Sequence, residues 1–204
     1  MCFSFKISIS SFLISWVISL YLLNKKTGKK LSKKQHQTII FLMIFTSMQI
    51  PDAILWYIKM EKNIINYIVT SFFIPTILSL QIIYNIFIIN NIDYNDGIKS
   101  TCISLSAIIA CLYFFYKFNG YSISSCSSKL YSPIWGSNEI QLWEAIIFSF
   151  IVFYPKLKSI LITNFVILPI IFLKFSGGYG SMWCFISTFF SFYYLYVYHL
   201  IHYF

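Results

Sequence analysis

The chain has 204 residues, of which 58% are hydrophobic, 21% aromatic and 10% charged, with a formal net charge of +9. Soluble domains carry about a quarter charged residues, and one of this length would need more charge than this to cover its surface. The composition therefore points away from a soluble globular domain. The basic excess does not make a nucleic-acid partner either. All 15 basic residues are Lys, and Lys25, Lys26, Lys29, Lys30, Lys33 and Lys34 crowd one short segment with no aromatic groove beside them.

Apolar runs of about 20 residues, the length a bilayer helix needs, follow one another along the chain. They predict an all-α, polytopic membrane helix bundle of about seven transmembrane helices, in a single integral membrane domain over residues 1–204. The first helix is expected over residues 7–23. Ser4, Ser8, Ser11, Ser15 and Ser19 recur there at spacings of three and four and form one small-residue face suited to close packing. The lysine cluster after it acts as a stop-transfer signal, and no small-x-small cleavage site precedes it, so the helix is read as a retained anchor.

The second helix is expected over 37–57 and the third over 64–89, with Pro75 near the middle of the third. Gln81 and Asn85 follow at i, i+4, and these amides must face protein or a cavity because lipid offers them no partner. The fourth, over 98–118, carries a second small-residue stripe of Ser100, Ser104, Ala107 and Cys111. The longest loop, 119–137, is rich in Ser and holds Cys126 and Trp135. Ser137 or Asn138 is the expected cap of the fifth helix, with Gln141 completing a capping box, and Pro155 ends that helix after Tyr154. The sixth covers 157–175 with Pro169 inside it. Gly177, Gly178 and Gly180 form a turn into the seventh, which runs from 181 towards an aromatic C-terminal cluster.

Seven helices put the termini on opposite sides. With the N-terminus outside, the inner loops hold nine Lys and the outer segments six. The bias is concentrated in the first short loop, where the positive-inside rule has most weight, so the expectation is N-terminus outside and C-terminus cytoplasmic. The Lys25–Lys34 loop is then expected to meet anionic lipid headgroups.

Two acids fall within the apolar runs, where a carboxylate at mid-bilayer costs about 2.5 to 3.5 kcal/mol on insertion scales. Gln49-Ile50-Pro51-Asp52-Ala53-Ile54-Leu55-Trp56 places Gln49, Asp52 and Trp56 on one helical side, and Pro51 deprives the Ser47 carbonyl of its donor. Gln141-Leu142-Trp143-Glu144-Ala145-Ile146-Ile147-Phe148 repeats the pattern Gln-x-x-acid-Ala-Ile. The topology sets both acids in the outer half of the membrane, and the echo suits an inverted repeat of three plus three helices. Gln49, Asp52, Trp56, Gln81, Gln141 and Glu144 form the candidate polar site. Its functional reading is a proton- or cation-coupled cavity. Its structural reading is a pair of neutral or amide-paired acids that fix helix register.

Met1-Cys2-Phe3-Ser4, the Gln49, Asp52 and Trp56 segment, and Gly180-Ser181-Met182-Trp183-Cys184 resemble an uncharacterised family of small multi-pass membrane proteins known from bacteria and large DNA viruses. Its members tend to carry Glu where this chain has Asp52. The resemblance implies a multi-pass architecture, in a host or viral membrane, and no activity.

Cys2, Cys126 and Cys184 fall at the outer face, where a disulfide could form in an oxidising compartment; the spacing does not choose the pair. No Cys-x-x-Cys spacing and no glycosylation sequon occur. His199 and His202 stand at i, i+3 near the C-terminus, on the face opposite the two acids, and lack a third ligand for zinc. No metal and no cofactor are expected. The function classes left open are a transporter- or receptor-like protein with an outer polar cavity, an intramembrane hydrolase or transferase, and a purely structural component of a viral or organellar membrane. Catalysis is the less favoured of these, and oligomeric state is not legible.

Overall fold

The computed structural model describes residues 4–24, 31–89, 97–124, 133–136, 140–154, 157–174 and 179–200. Cys2, Cys126, His202 and the lysines from Lys25 to Lys30 lie outside the described residues, and the side chains of Cys184 and His199 are also not described. The all-α bundle expected from the apolar runs is what the structure shows, with seven helices and almost no sheet among the described residues. The first helix is Phe5–Asn24 and the second Lys33–Tyr57. The third covers 64–89 and the fourth Gly97–Lys117. The fifth is Leu142–Phe153, the sixth Lys158–Lys174, and the seventh Tyr179–Leu195 with a π-helical continuation over Tyr196–Leu200. Four helices are long and apolar enough to cross a membrane, namely Phe5–Asn24, Lys33–Tyr57, Ile64–Ile88 and Ser100–Lys117. The apolar helices Leu142–Phe153 and Ile160–Leu173 are shorter.

Local chemistry sets the helix ends. The second helix starts four residues earlier than its apolar run because Ser32 and Gln35 make a capping box. The Gln35 N–H donates to Ser32 Oγ at 3.2 Å, and the Ser32 N–H donates to Gln35 Oε1 at 2.8 Å. Pro51 breaks the same helix, as its missing N–H requires, into Lys33–Thr46 and Gln49–Tyr57. The Ser47 carbonyl that Pro51 cannot reach is taken instead by the Ile50 N–H at 3.0 Å. Thr46 and Ser47 turn their hydroxyls back onto the Leu42 and Met43 carbonyls at 2.8 and 2.7 Å, a bonding pattern that bends helices. In the third helix a π-helical stretch, Val69–Phe73, ends just before Pro75.

The second helix is central, packing against the first, third and seventh. The third also contacts the fourth and fifth, and the sixth lies between the fifth and seventh. One buried cluster surrounds Phe41, Phe45 and Phe153, whose rings meet edge to face at 5.5 and 6.1 Å. A second cluster, around Met48, Leu55, Met60, Phe118 and Trp135, sits at the end that carries the 119–137 loop.

Polarity is reversed relative to a soluble domain. Ser8, Ser11, Ser15 and Ser19 are buried, so the serine face of the first helix is its packing face. Leu13, Val17 and Leu173 are 52%, 66% and 82% exposed. Inward hydroxyls and outward aliphatic side chains suit lipid as the solvent, because small residues allow close helix contact where no hydrophobic force drives it.

Candidate functional site

Hydrogen bonds from the third helix hold the chain that follows the fourth helix, from Asn119 to Ser122, over the bundle. Asn66, fully buried one turn into the third helix, donates through Nδ2 to the carbonyls of Ser122 at 2.9 Å and Glu61 at 3.1 Å. Its Oδ1 accepts from the Ser122 N–H at 2.8 Å and from the Thr70 hydroxyl at 3.1 Å. Gly120 and Ser71 add a further link, the Gly120 N–H donating to Ser71 Oγ at 3.0 Å. Past this clasp the chain pairs Ile123–Ser124 antiparallel with Pro133–Ile134, Ile123 opposite Ile134. The returning strand delivers Trp135 into the bundle.

Trp135 is 4% exposed and is the centre of the site. Its indole Nε1 donates to Asp52 Oδ1 at 2.8 Å, and the Ser181 hydroxyl donates to Asp52 Oδ2 at 2.5 Å. Asp52 is fully buried, so a carboxyl on the second helix ties the Pro133–Gly136 segment and the start of the seventh helix together. Gly180 makes room for this. A Cβ there would stand 2.9 Å from the Trp135 ring, so close approach, and not the hinge its neighbouring glycines suggest, explains the residue. Gly136, with φ +76, lets the chain turn back over Phe118, whose Cα would be 3.0 Å from any Cβ.

Glu144 is arranged differently. It lies in the first turn of the fifth helix, and its Oε2 accepts the Gln141 N–H at 2.5 Å, which makes Gln141 the N-cap. The expected caps, Ser137 and Asn138, lie outside the described residues, and the helix begins at Leu142. Glu144 Oε1 accepts from Lys117 Nζ at 2.9 Å and from the Tyr113 hydroxyl. Both Glu144 and Lys117 are largely buried, with side chains 7% and 12% exposed. The shared Gln-x-x-acid pattern therefore marks two helix starts, since Asp52 also falls in the first turn of its segment, where the helix dipole favours negative charge.

The two acids do not converge directly. A cavity of about 390 Å³ lies between the fourth and fifth helices, lined by Glu144, Lys117 and Tyr113 at its polar end. Asp52 does not line it; the Trp135 ring does, and stands between the carboxyl and the cavity. Leu78, Ile82 and Leu168 form buried wall, while the exposed Ile109, Trp143 and Ile147 carry the lining to the outer apolar surface. The fourth and fifth helices leave this gap because they share no extended backbone contact. Phe114 against Phe148, edge to face at 5.1 Å, and the polar trio bridge them.

The remaining candidates are dispersed among other environments. Gln49 and Gln81 are buried, and neither hydrogen-bonds Asp52; Gln49 Nε2 and both amide atoms of Gln81 have no partner among the described residues. Trp56 is half-buried with its Nε1 also unpartnered there. Asn85 Nδ2 caps the far end of the fifth helix, donating to the Ile151 and Tyr154 carbonyls at 3.1 and 3.3 Å. Among the described residues no three His, Cys, Asp or Glu side chains come together. Trp135, Ser181, Lys117 and Tyr113, which complete the arrangement, were not candidates from spacing. The apolar Pro133-Ile134-Trp135 in a Ser-rich loop was the available sign. No family model, no curated protein and no solved structure matches the chain, so the resemblance at Met1–Ser4, Gln49–Trp56 and Gly180–Cys184 rests on those residues alone.

Proposed function

We propose that the protein is a multi-pass integral membrane protein with a receptor- or carrier-like role, admitting an apolar-bodied ligand from the lipid through the gap between its fourth and fifth helices. The observation that carries this is the cavity itself. At about 390 Å³ it falls in the range of small-ligand sites, and its walls are apolar apart from one polar end and the hydroxyls of Ser106 and Ser149, which are spent on the Cys102 and Ala145 carbonyls. Its lining continues onto an exterior of exposed aliphatic and aromatic side chains. A photoreactive alkyl diazirine in phosphatidylcholine vesicles should label Ala110 and Phe148, which line the cavity and are half-buried, as well as the exposed Leu13 and Leu173. Ala145→Trp, which fills the cavity with an indole, should reduce labelling of the first pair about tenfold, as loss of a preformed site does, and leave the second pair unchanged. Wild-type labelling confined to Leu13 and Leu173 would remove the basis for this role.

The proposed threading is N-terminus outside, with the Lys25–Lys34 loop cytoplasmic against anionic headgroups and the 119–137 loop outside. The lysine asymmetry supports it. An impermeant thiol reagent applied to sealed vesicles should reach single cysteines introduced at Thr27 and Ser124 from opposite sides. Modification of both from one side would defeat the topology.

A further inference from the structure

We infer that the cavity selects an uncharged amphiphile with a hydroxyl head, an inference that rests on the ligand-binding role proposed above. The polar end of the cavity is a balanced pair. Lys117 Nζ lies 2.9 Å from Glu144 Oε1, contributing +1 and −1 side by side. Tyr113 adds a neutral hydroxyl whose proton is already given to Glu144. Asp52 is screened from the cavity by the Trp135 ring that it holds. A charged head entering this space would therefore leave one net charge among apolar walls, and an uncompensated buried charge is costly.

The unused hydrogen-bonding capacity matches a hydroxyl. An ammonium has three donors, and Lys117 spends one on Glu144. Each carboxylate oxygen offers about two acceptor sites. Glu144 Oε1 uses both, on Tyr113 and Lys117, whereas Oε2 takes only the Gln141 N–H. The polar end thus presents two kinds of free group, the two remaining donors of Lys117 and an acceptor site on Glu144 Oε2. A hydroxyl both accepts and donates, and satisfies one of each at once. A carboxylate could use only the first and an ammonium only the second, each beside a like charge. The apolar walls, with Ile109, Ile147 and Leu168 among them, take the hydrocarbon body.

The test is native mass spectrometry of the detergent-purified full chain with a panel of equal chain length: hexadecanol, palmitate and hexadecylamine, with dipalmitoylglycerol as a two-chain alcohol. One of the two alcohols should bind about tenfold or more tightly than both charged ligands, and which one it is tells a single-chain from a glyceride source. Glu144→Gln leaves Lys117 uncompensated and should move the preference to palmitate. Lys117→Met leaves Glu144 uncompensated and should move it to hexadecylamine. A purely structural ion pair would alter the affinity of all four ligands together without changing their order. Palmitate or hexadecylamine equalling the alcohols on the wild-type chain, or an order unmoved by either variant, overturns the inference. Failure of all four to bind the wild-type chain overturns the ligand-binding role beneath it.

Discussion

Asp52→Leu should destabilise the protein by about 2 to 3 kcal/mol, while Asp52→Asn should cost under about 1 kcal/mol. The asymmetry follows from which donors the carboxyl holds. Leu removes the acceptor for two buried groups, the Trp135 Nε1–H at 2.8 Å and the Ser181 hydroxyl at 2.5 Å. Leaving a buried donor unpaired costs about 1 to 3 kcal/mol, and interhelical hydrogen bonds in bilayers average about 0.6 and reach about 1.7 kcal/mol, so the two together fall near the stated value. Asn can keep both contacts. The indole is donor-only and claims the amide oxygen, whereas the Ser181 hydroxyl can rotate and accept from the amide nitrogen. At about 2 to 4 °C per kcal/mol for a chain of this size, the Leu variant should melt about 4 to 12 °C lower in mild detergent, and the Asn variant less than about 4 °C below wild type. Equal losses in the two variants would mean that the negative charge itself is needed, and would restore the proton- or cation-coupled reading of this residue.

Asp52 also shows how far the sequence is legible. An acid inside an apolar run must be buried and paired, and this one is fully buried. Its partners were out of reach, because Trp135 and Ser181 lie 83 and 129 positions away and no local pattern binds them to it. Gln49, one turn away in the same helical segment, was the natural partner by helical spacing, yet both carboxyl oxygens are taken by Trp135 and Ser181 and Gln49 Nε2 makes no hydrogen bond to the acid. Glu144 and Gln141, in contrast, do interact as close neighbours, through the backbone N–H of Gln141.

Charge carried two meanings at once. Lys117 counts towards topology, and it is also the ion-pair partner of Glu144, a role that only the packing of the fourth helix near the fifth reveals. Ser32 to Gln35 is a capping box written in plain spacing, but it is embedded in the lysine cluster, where a topological reading of charge covers it. The small-residue face of the first helix was readable because its cause is local and periodic, and Ser8, Ser11, Ser15 and Ser19 are indeed its buried side. Local periodicity thus determines which face turns inward, while the identity of a buried polar partner depends on loops that the period does not describe.

Asn66→Leu should be the most damaging single change at the loop end, costing about 3 kcal/mol or more. Asn66 uses both its donors and both its acceptor sites. Nδ2 serves the Glu61 and Ser122 carbonyls, and Oδ1 takes the Ser122 N–H and the Thr70 hydroxyl. Both Asn66 and Ser122 are fully buried, so water cannot replace the lost partners. The Leu variant strands the N–H and C=O of one loop residue together, which amounts to breaking a two-bond ladder. Asn66→Asp should be nearly as harmful, although it is polar and close in shape. A carboxylate can accept from Ser122 and Thr70 but aims an oxygen at two carbonyls that need donors. Both variants should melt about 6 to 12 °C lower, and a protease cutting between residues 119 and 136 should act faster on each, since the clasp holds Asn119 to Ser122 against the third helix. An Asp variant as stable and as protease-resistant as wild type would show that the Nδ2 bonds contribute little, and that Trp135 alone seats the loop.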